Sequence, residues 1–190
     1  MRITGGELRS RILRAPKGMA TRPTTDRVRE SLFNVLASAS LIEGARVLDL
    51  YAGTGALGLE ALSRGATHAT LVESARSALS ALRSNIADLG VIDRTSVLAG
   101  EVESIAARLA RESPYDIVFA DPPWALIDRG DAPRALGEIV ARGALAADGV
   151  LILEHAARSS PPDIAGLDLG ERRRLGDTAI AFYRASPHAL

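Results

Sequence analysis

Between Arg46 and His155, short apolar runs alternate with amphipathic stretches. The runs "RVLDL" (46–50), "ATLVE" (69–73), "TSVLA" (95–99), "YDIVFA" (115–120) and "VLILEH" (150–155) are strand-sized and rich in aliphatic side chains. Such runs mark strands buried on both faces. Between them, residues 56–64, 75–89, roughly 102–112 and 132–145 read as helices, with Gly65 and Gly90 closing the first two. This alternation predicts βαβ units and a parallel sheet covered by helices on both sides. Upstream, Val28, Leu32, Val35, Leu36 and Ala39 recur at helical spacing behind the N-cap cluster Thr24-Thr25-Asp26, predicting an amphipathic helix over 26–39. Residues 1–24 carry Gly5-Gly6, Pro16, Gly18 and Pro23, which predicts a β-hairpin or extended arm ahead of one domain spanning 25–190. The end breaks the alternation. "DLGERRRLGDTAIAFYRA" holds two strand-like runs joined through Gly176-Asp177, a hairpin signal. The fold class expected is α/β, with a mainly parallel seven-stranded sheet and an antiparallel C-terminal hairpin.

Composition narrows the function classes. At 190 residues, 47% hydrophobic and 24% charged, the chain suits one well-packed domain with a small appendage. Its apolar runs fall far short of the roughly 20 residues that span a bilayer. The opening "MRITGGELRSRILRAP" is basic and lacks the apolar stretch of a secretory signal. No cysteine is present, which removes disulfides, thiol nucleophiles and thiolate metal sites. His68, His155 and His188 show no ligand spacing, so no metal is expected, and a cytoplasmic protein is.

Net charge is zero, but its distribution is uneven. Up to Arg29 the basic residues Arg2, Arg9, Arg11, Arg14, Lys17, Arg22, Arg27 and Arg29 face only Glu7 and Asp26. A basic arm on an acidic body suits a polyanionic partner, and arginine grips phosphates bidentately.

The first chemical motif is "DLYAGTGALG" (49–58), whose last six residues spell G-x-G-x-x-G. Glycines there allow close backbone approach, and the helix starting near Ala56 offers its positive end to a ligand. A dinucleotide site runs its strand straight into the first glycine. Here Asp49 closes the strand, with Leu50-Tyr51-Ala52 before Gly53. That carboxylate repels a pyrophosphate and suits an ammonium group, such as that of S-adenosylmethionine. Glu73, followed by Ser74, ends the next strand, where an acid accepts hydrogen bonds from ribose hydroxyls of either cofactor. Glu101, after the third strand, suits an adenine amino group with Val102 against the ring, or equally serves as a helix-start acid.

The second motif is "DPPW", Asp121-Pro122-Pro123-Trp124, directly after the fourth strand. Two prolines stiffen the turn and remove two N–H donors. The Asp121 carboxylate and Pro122 carbonyl then form an acceptor-only pair, which is what an exocyclic NH2 of a base requires. Trp124 follows immediately and offers a ring for a flipped base.

Together these motifs resemble the Class I S-adenosylmethionine-dependent methyltransferases of the amino-group type. "RPTTDRVRESLFN" (22–34), the opening "MRITGG" and the closing "GDTAIAFYR" resemble more narrowly the RsmD family, and the resemblance covers nearly the whole chain. It implies a Rossmann-like Class I methyltransferase fold. It also implies methylation of the exocyclic N2 of one guanine (guanine 966) in 16S ribosomal RNA, in the assembling or assembled 30S subunit. By this resemblance Asp49, Tyr51, Gly53 and Gly55 hold the methionine half of the cofactor. Glu73 holds the ribose, Ser74 also binds the cofactor, and Glu101 and Val102 hold the adenine. Asp121 and Pro122 orient the guanine amine, and Trp124 stacks on its ring. Arg2, Arg9, Arg11, Arg14, Arg22, Thr24, Arg27, Arg29 and Asn34 border the target or the RNA. A monomer is expected. Two other readings stay open on the residues themselves: an N6-adenine DNA or RNA methyltransferase, and an NAD(P)-dependent oxidoreductase. The first usually carries a separate target-recognition region and the second needs a substrate domain. This length has no room for a large target-recognition region, and Asp49 counts against the oxidoreductase.

Overall fold

A computed structural model describes residues 1–16, 26–109 and 114–186. The strands are β1 (Arg46–Leu50), β2 (His68–Glu73), β3 (Thr95–Ala99), β4 (Tyr115–Ala120), β5 (Leu145–Ala156), β6 (Leu167–Leu175) and β7 (Thr178–Ala185). They form one mixed sheet in the order β3-β2-β1-β4-β5-β7-β6, the expected α/β architecture with antiparallel C-terminal strands. The helices are α1 (Asp26–Ser38), α2 (Ala56–Ser63), α3 (Arg76–Leu89), α4 (Ala106–Leu109), α5 (Trp124–Asp128) and α6 (Asp131–Ala141). No helix among the described residues is long and apolar enough to cross a membrane. Two compact units divide the chain, Met1–Gly100 and Glu101–Leu190.

In the first unit β1 pairs in parallel with β2 and β2 with β3, with Asp49 abreast of Leu71 and Glu73 abreast of Ala99. Val47, Leu48 and Leu50 are fully buried, as the unbroken apolar run requires. Every residue of α2 from Leu57 to Ser63 is buried, including the polar Glu60 and Ser63. On α1 the buried stripe is Arg29, Leu32, Phe33 and Leu36. The expected stripe differs at its edges: Val28 and Val35 are half-buried, Ala39 is exposed, and an arginine takes a core position.

Residues 1–16 form a hairpin-like arm. Ile3 N–H donates to Arg11 O at 3.0 Å, Ser10 N–H to Ile3 O at 2.9 Å and Leu13 N–H to Met1 O at 3.0 Å. Ile3 and Leu13 point inward and are buried, which anchors the arm on the body. Gly6 makes the close approach possible: at φ +76° its ideal Cβ would lie 1.7 Å from Ser63 O. Any side chain there lifts the arm away.

In the second unit β4 and β5 are parallel, with Ala120 abreast of Leu153, and β5–β7 and β7–β6 are antiparallel. Gly176 at φ +69° turns the terminal hairpin as its sequence requires. Two expectations are corrected. The helix expected over 102–112 is a 3-10 turn over Val102–Ser104 followed by the four-residue α4, with 110–113 outside the described residues. The helix expected to reach 145 stops at Ala141, because Gly143 at φ +78° reverses the chain and β5 starts at Leu145.

Candidate active site

The glycine loop lies at the C-terminal end of β1, where an open α/β sheet presents its ligand crevice. Asp49 is 1% exposed, and its Oδ2 accepts from Gly58 N–H at 2.8 Å. Burial pushes its pKa up to about 7, the Gly58 N–H works against that rise, and the Glu73 charge adds to it. Gly58 permits this contact, since an ideal Cβ there would sit 2.9 Å from Leu71 Cδ2 and 3.2 Å from Asp49 Oδ2. Tyr51 adopts φ 61°, a left-handed backbone rare for a residue with a Cβ. Gly53 adopts φ +56°, and no heavy atom lies within 4 Å of an ideal Cβ there. The loop is therefore a bare backbone cradle beside a buried carboxylate.

Glu73 shapes that cradle. Its Oε2 accepts from Gly53 N–H at 2.8 Å, and its Oε1 from Ser74 N–H at 2.8 Å and Ala75 N–H at 2.7 Å. One carboxylate thus ties the first glycine to the N-terminus of α3. A carboxylate offers about four lone-pair sites, so with three donors bound Glu73 keeps capacity for a ribose hydroxyl. Spacing in the sequence suggested the ligand role and gave no sign of the loop-holding one.

The second unit holds the other motif. Asp121 and Trp124 are half-buried, Pro122 is buried and Pro123 exposed. Pro123 is the N-cap of α5, a five-residue helix absent from the sequence expectation, so Trp124 is carried at a helix start. Arg158 Cζ lies 6.0 Å from the centroid of the Trp124 ring. Glu101 is exposed, whereas Val102 is 3% exposed and offers an adenine ring little surface.

The basic residues separate into classes that the sequence does not distinguish. Arg29 is a correction: it is fully buried and faces no partner outside the protein. Its Nε lies 3.3 Å from Glu60 Oε2, and its Nη2 donates to Arg2 O and to Asp26 Oδ1. Arg14 is exposed and pairs with Asp88 at 2.7 Å, and Arg11 donates to Asp88 O at 2.5 Å. Arg2, Arg9, Arg27 and Asn34 are exposed. Arg22 and Thr24 lie outside the described residues.

Glu60 is the hub that fastens the arm. It accepts from Thr4 N–H at 2.8 Å, Thr4 Oγ1 at 2.6 Å, Gly5 N–H at 2.8 Å and Arg64 Nε at 2.8 Å, besides Arg29. Asn85, also missed in the sequence, works at the other end. It accepts from Arg14 N–H at 2.8 Å and donates to Arg14 O at 3.2 Å and to Thr54 O of the glycine loop at 3.0 Å. One buried carboxamide therefore joins arm and loop. Asn85 sits on an otherwise apolar helix face, and no local signal marks it as a joint. Among the described residues no group of acidic or histidine side chains could hold a metal ion.

The family model described as Conserved hypothetical protein 95 matches residues 1–184. Ribosomal RNA small subunit methyltransferase D of Escherichia coli (strain K12) is 37% identical over 185 residues, covering 97% of this chain and 89% of that protein. Among solved structures, a methyltransferase from Escherichia coli superposes with TM-score 0.80 at 37% identity over 98% of both chains. A protein from Thermus thermophilus gives TM-score 0.80 at 32% identity over 97% of this chain and 99% of that one. With a match that spans the arm and the whole sheet, the chain belongs to the Conserved hypothetical protein 95 family, which is the RsmD family its motifs resemble.

Proposed function

We propose that the protein is an S-adenosylmethionine-dependent ribosomal RNA methyltransferase acting on the exocyclic N2 of one guanine of 16S RNA in the small subunit, guanine 966 by family resemblance. The observation that carries this reading is the acceptor-only turn Asp121-Pro122. Only Pro123 separates it from the one tryptophan of a chain 37% identical along 97% of its length to a small-subunit RNA methyltransferase. In the cofactor role, Asp49 receives the ammonium group, the open Gly53 backbone receives the methionine half with Tyr51 and Gly55, and Glu73 with Ser74 receives the ribose. Glu101 takes the adenine amino group. The sulfonium of the cofactor, when bound, makes its methyl group electrophilic.

The guanine N2 lone pair is delocalised into the ring, so the amine is a poor nucleophile until it is oriented. Asp121 and the Pro122 carbonyl accept its two N–H groups. This turns the lone pair toward the methyl group and disperses the positive charge that develops on nitrogen. No strong base is needed, because the methylated ammonium is acidic and loses its proton readily. Trp124 stacks on the ring and offsets the cost of unstacking the base from RNA. The exposed Arg2, Arg9, Arg11, Arg14 and Arg27 with Asn34, together with Arg22 and Thr24, contact RNA in this reading, and binding weakens with salt. The experiment is transfer of labelled methyl from S-adenosylmethionine to 30S particles lacking the modification, followed by mapping of the labelled base. Label on guanine N2 is expected. Label on adenine N6, which presents the same two donors, would overturn the base assignment. Asp121→Ala should abolish transfer and leave cofactor binding in place; retained transfer would remove Asp121 from this role.

A further inference from the structure

We propose that Arg158 is an RNA-contact residue of the target site. Its guanidinium covers the Trp124 ring in the free protein and passes to an RNA phosphate when the target base takes that ring. The inference rests on Trp124 being the stacking residue.

Arg158 sits in the turn directly after β5, and that turn is pinned from several sides. Ser159 N–H donates to Ala156 O at 3.0 Å, and Ala157 N–H donates to Asp177 O at 2.8 Å. From β6, Arg172 Nη2 donates to Ala157 O at 2.6 Å and to Ser159 O at 3.1 Å. The effect is to present one side chain, Arg158, to the ring 34 residues earlier in the chain. Its own guanidinium forms no ion pair among the described residues, unlike Arg14, Arg64 and Arg173. At 6.0 Å from the ring centroid the contact is at the outer limit of a cation–π interaction. It is therefore weak and readily exchanged. Base–aromatic stacking on the same face is stronger, and a displaced guanidinium beside a splayed nucleotide finds the flanking phosphate, for which its planar fork is suited. Arg172 then acts as a positioning residue, through the turn it holds.

Trp124 is the only tryptophan, so intrinsic fluorescence reads the ring directly. Arg158→Ala should change the emission of the free protein. With 30S particles lacking the modification and labelled S-adenosylmethionine, it should raise KM for the particle about tenfold and lower kcat much less. It should also reduce the slope of log affinity against log salt by about one. Arg158→Lys should restore that slope, and Arg172→Ala should raise KM in the same direction by a smaller factor. Wild-type KM and salt slope in Arg158→Ala would overturn the inference. If wild-type protein methylates the 30S particles and Trp124→Ala loses kcat while Arg158→Ala changes nothing, this inference alone fails. If wild-type protein transfers no methyl group to the 30S particles, or Trp124→Ala transfers normally, the functional reading beneath it fails as well.

Discussion

The first unit contains two buried carboxylates that differ in what surrounds them. Glu60 is fully buried and accepts from five donors, two of them guanidinium groups. Asp49 is 1% exposed and has one donor among the described residues, the Gly58 N–H. A buried charge is tolerable when it is paired and hydrogen-bonded, and costly otherwise. Glu60 is complete within the protein, so its chemistry is structural: it binds the arm to α2. Asp49 is incomplete, and its pKa rises to about 7 because burial penalises a charge that nothing neutralises. In the proposed cofactor role, the ammonium group of the ligand supplies the missing partner. Equal burial thus marks a fastener in one region and, under the proposed function, a binding group in the other.

The largest effect should come from breaking the complete site. Arg29→Ala leaves Glu60 short of a buried partner and should destabilise the protein by roughly 3–5 kcal/mol in urea unfolding. A loss below about 1 kcal/mol would return Arg29 to the surface class assumed from sequence. Next, Asn85→Ala strands the backbone groups of Arg14 and Thr54. It should cost about 1–3 kcal/mol and weaken cofactor binding as well, because it frees the glycine loop.

The incomplete site should respond with the opposite sign. Asp49→Asn keeps an oxygen for Gly58 N–H and removes the buried charge. Since the folded pKa lies above the unfolded value, Asp49 binds more protons in the folded state between about pH 4 and pH 7. Its contribution to stability therefore falls as pH rises through that window, and the cost is fully present above pH 7. Asp49→Asn should raise Tm at pH 8, with the gain shrinking toward pH 4, while lowering affinity for S-adenosylmethionine at least tenfold. The smallest effect needs no mutation. Only the ionised carboxylate holds an ammonium group, which itself stays protonated to about pH 7.7, so wild-type Kd for the cofactor should fall about fivefold from pH 6 to pH 7. In Asp49→Asn this dependence should be lost. Isothermal titration at the two pH values checks both.

The same contrast shows what was legible beforehand. Local patterns carried the strands, the glycine loop, Asp49 at a strand end and the DPPW turn, because each is a short run of residues whose geometry follows from its neighbours. The roles of Arg29 and Glu60 were not legible, since the partners lie 31 residues apart and charge in a basic segment looks alike whether paired or free. Asn85 serves Arg14, 71 residues away, for the same reason. Helix α5 is a single turn or so, too short for a periodic signal. The 102–112 segment has helical composition, yet the chain makes a 3-10 turn there before the short α4.

The central claim is that the acceptor pair after β4 directs a methyl group to the amine of a guanine in small-subunit RNA. Labelled transfer to unmodified 30S particles by wild-type protein and by Asp121→Ala, with the product nucleoside identified, tests it most directly. N2-methylguanine is expected from the wild type and no product from the variant. N6-methyladenine, or equal product from both proteins, would contradict it.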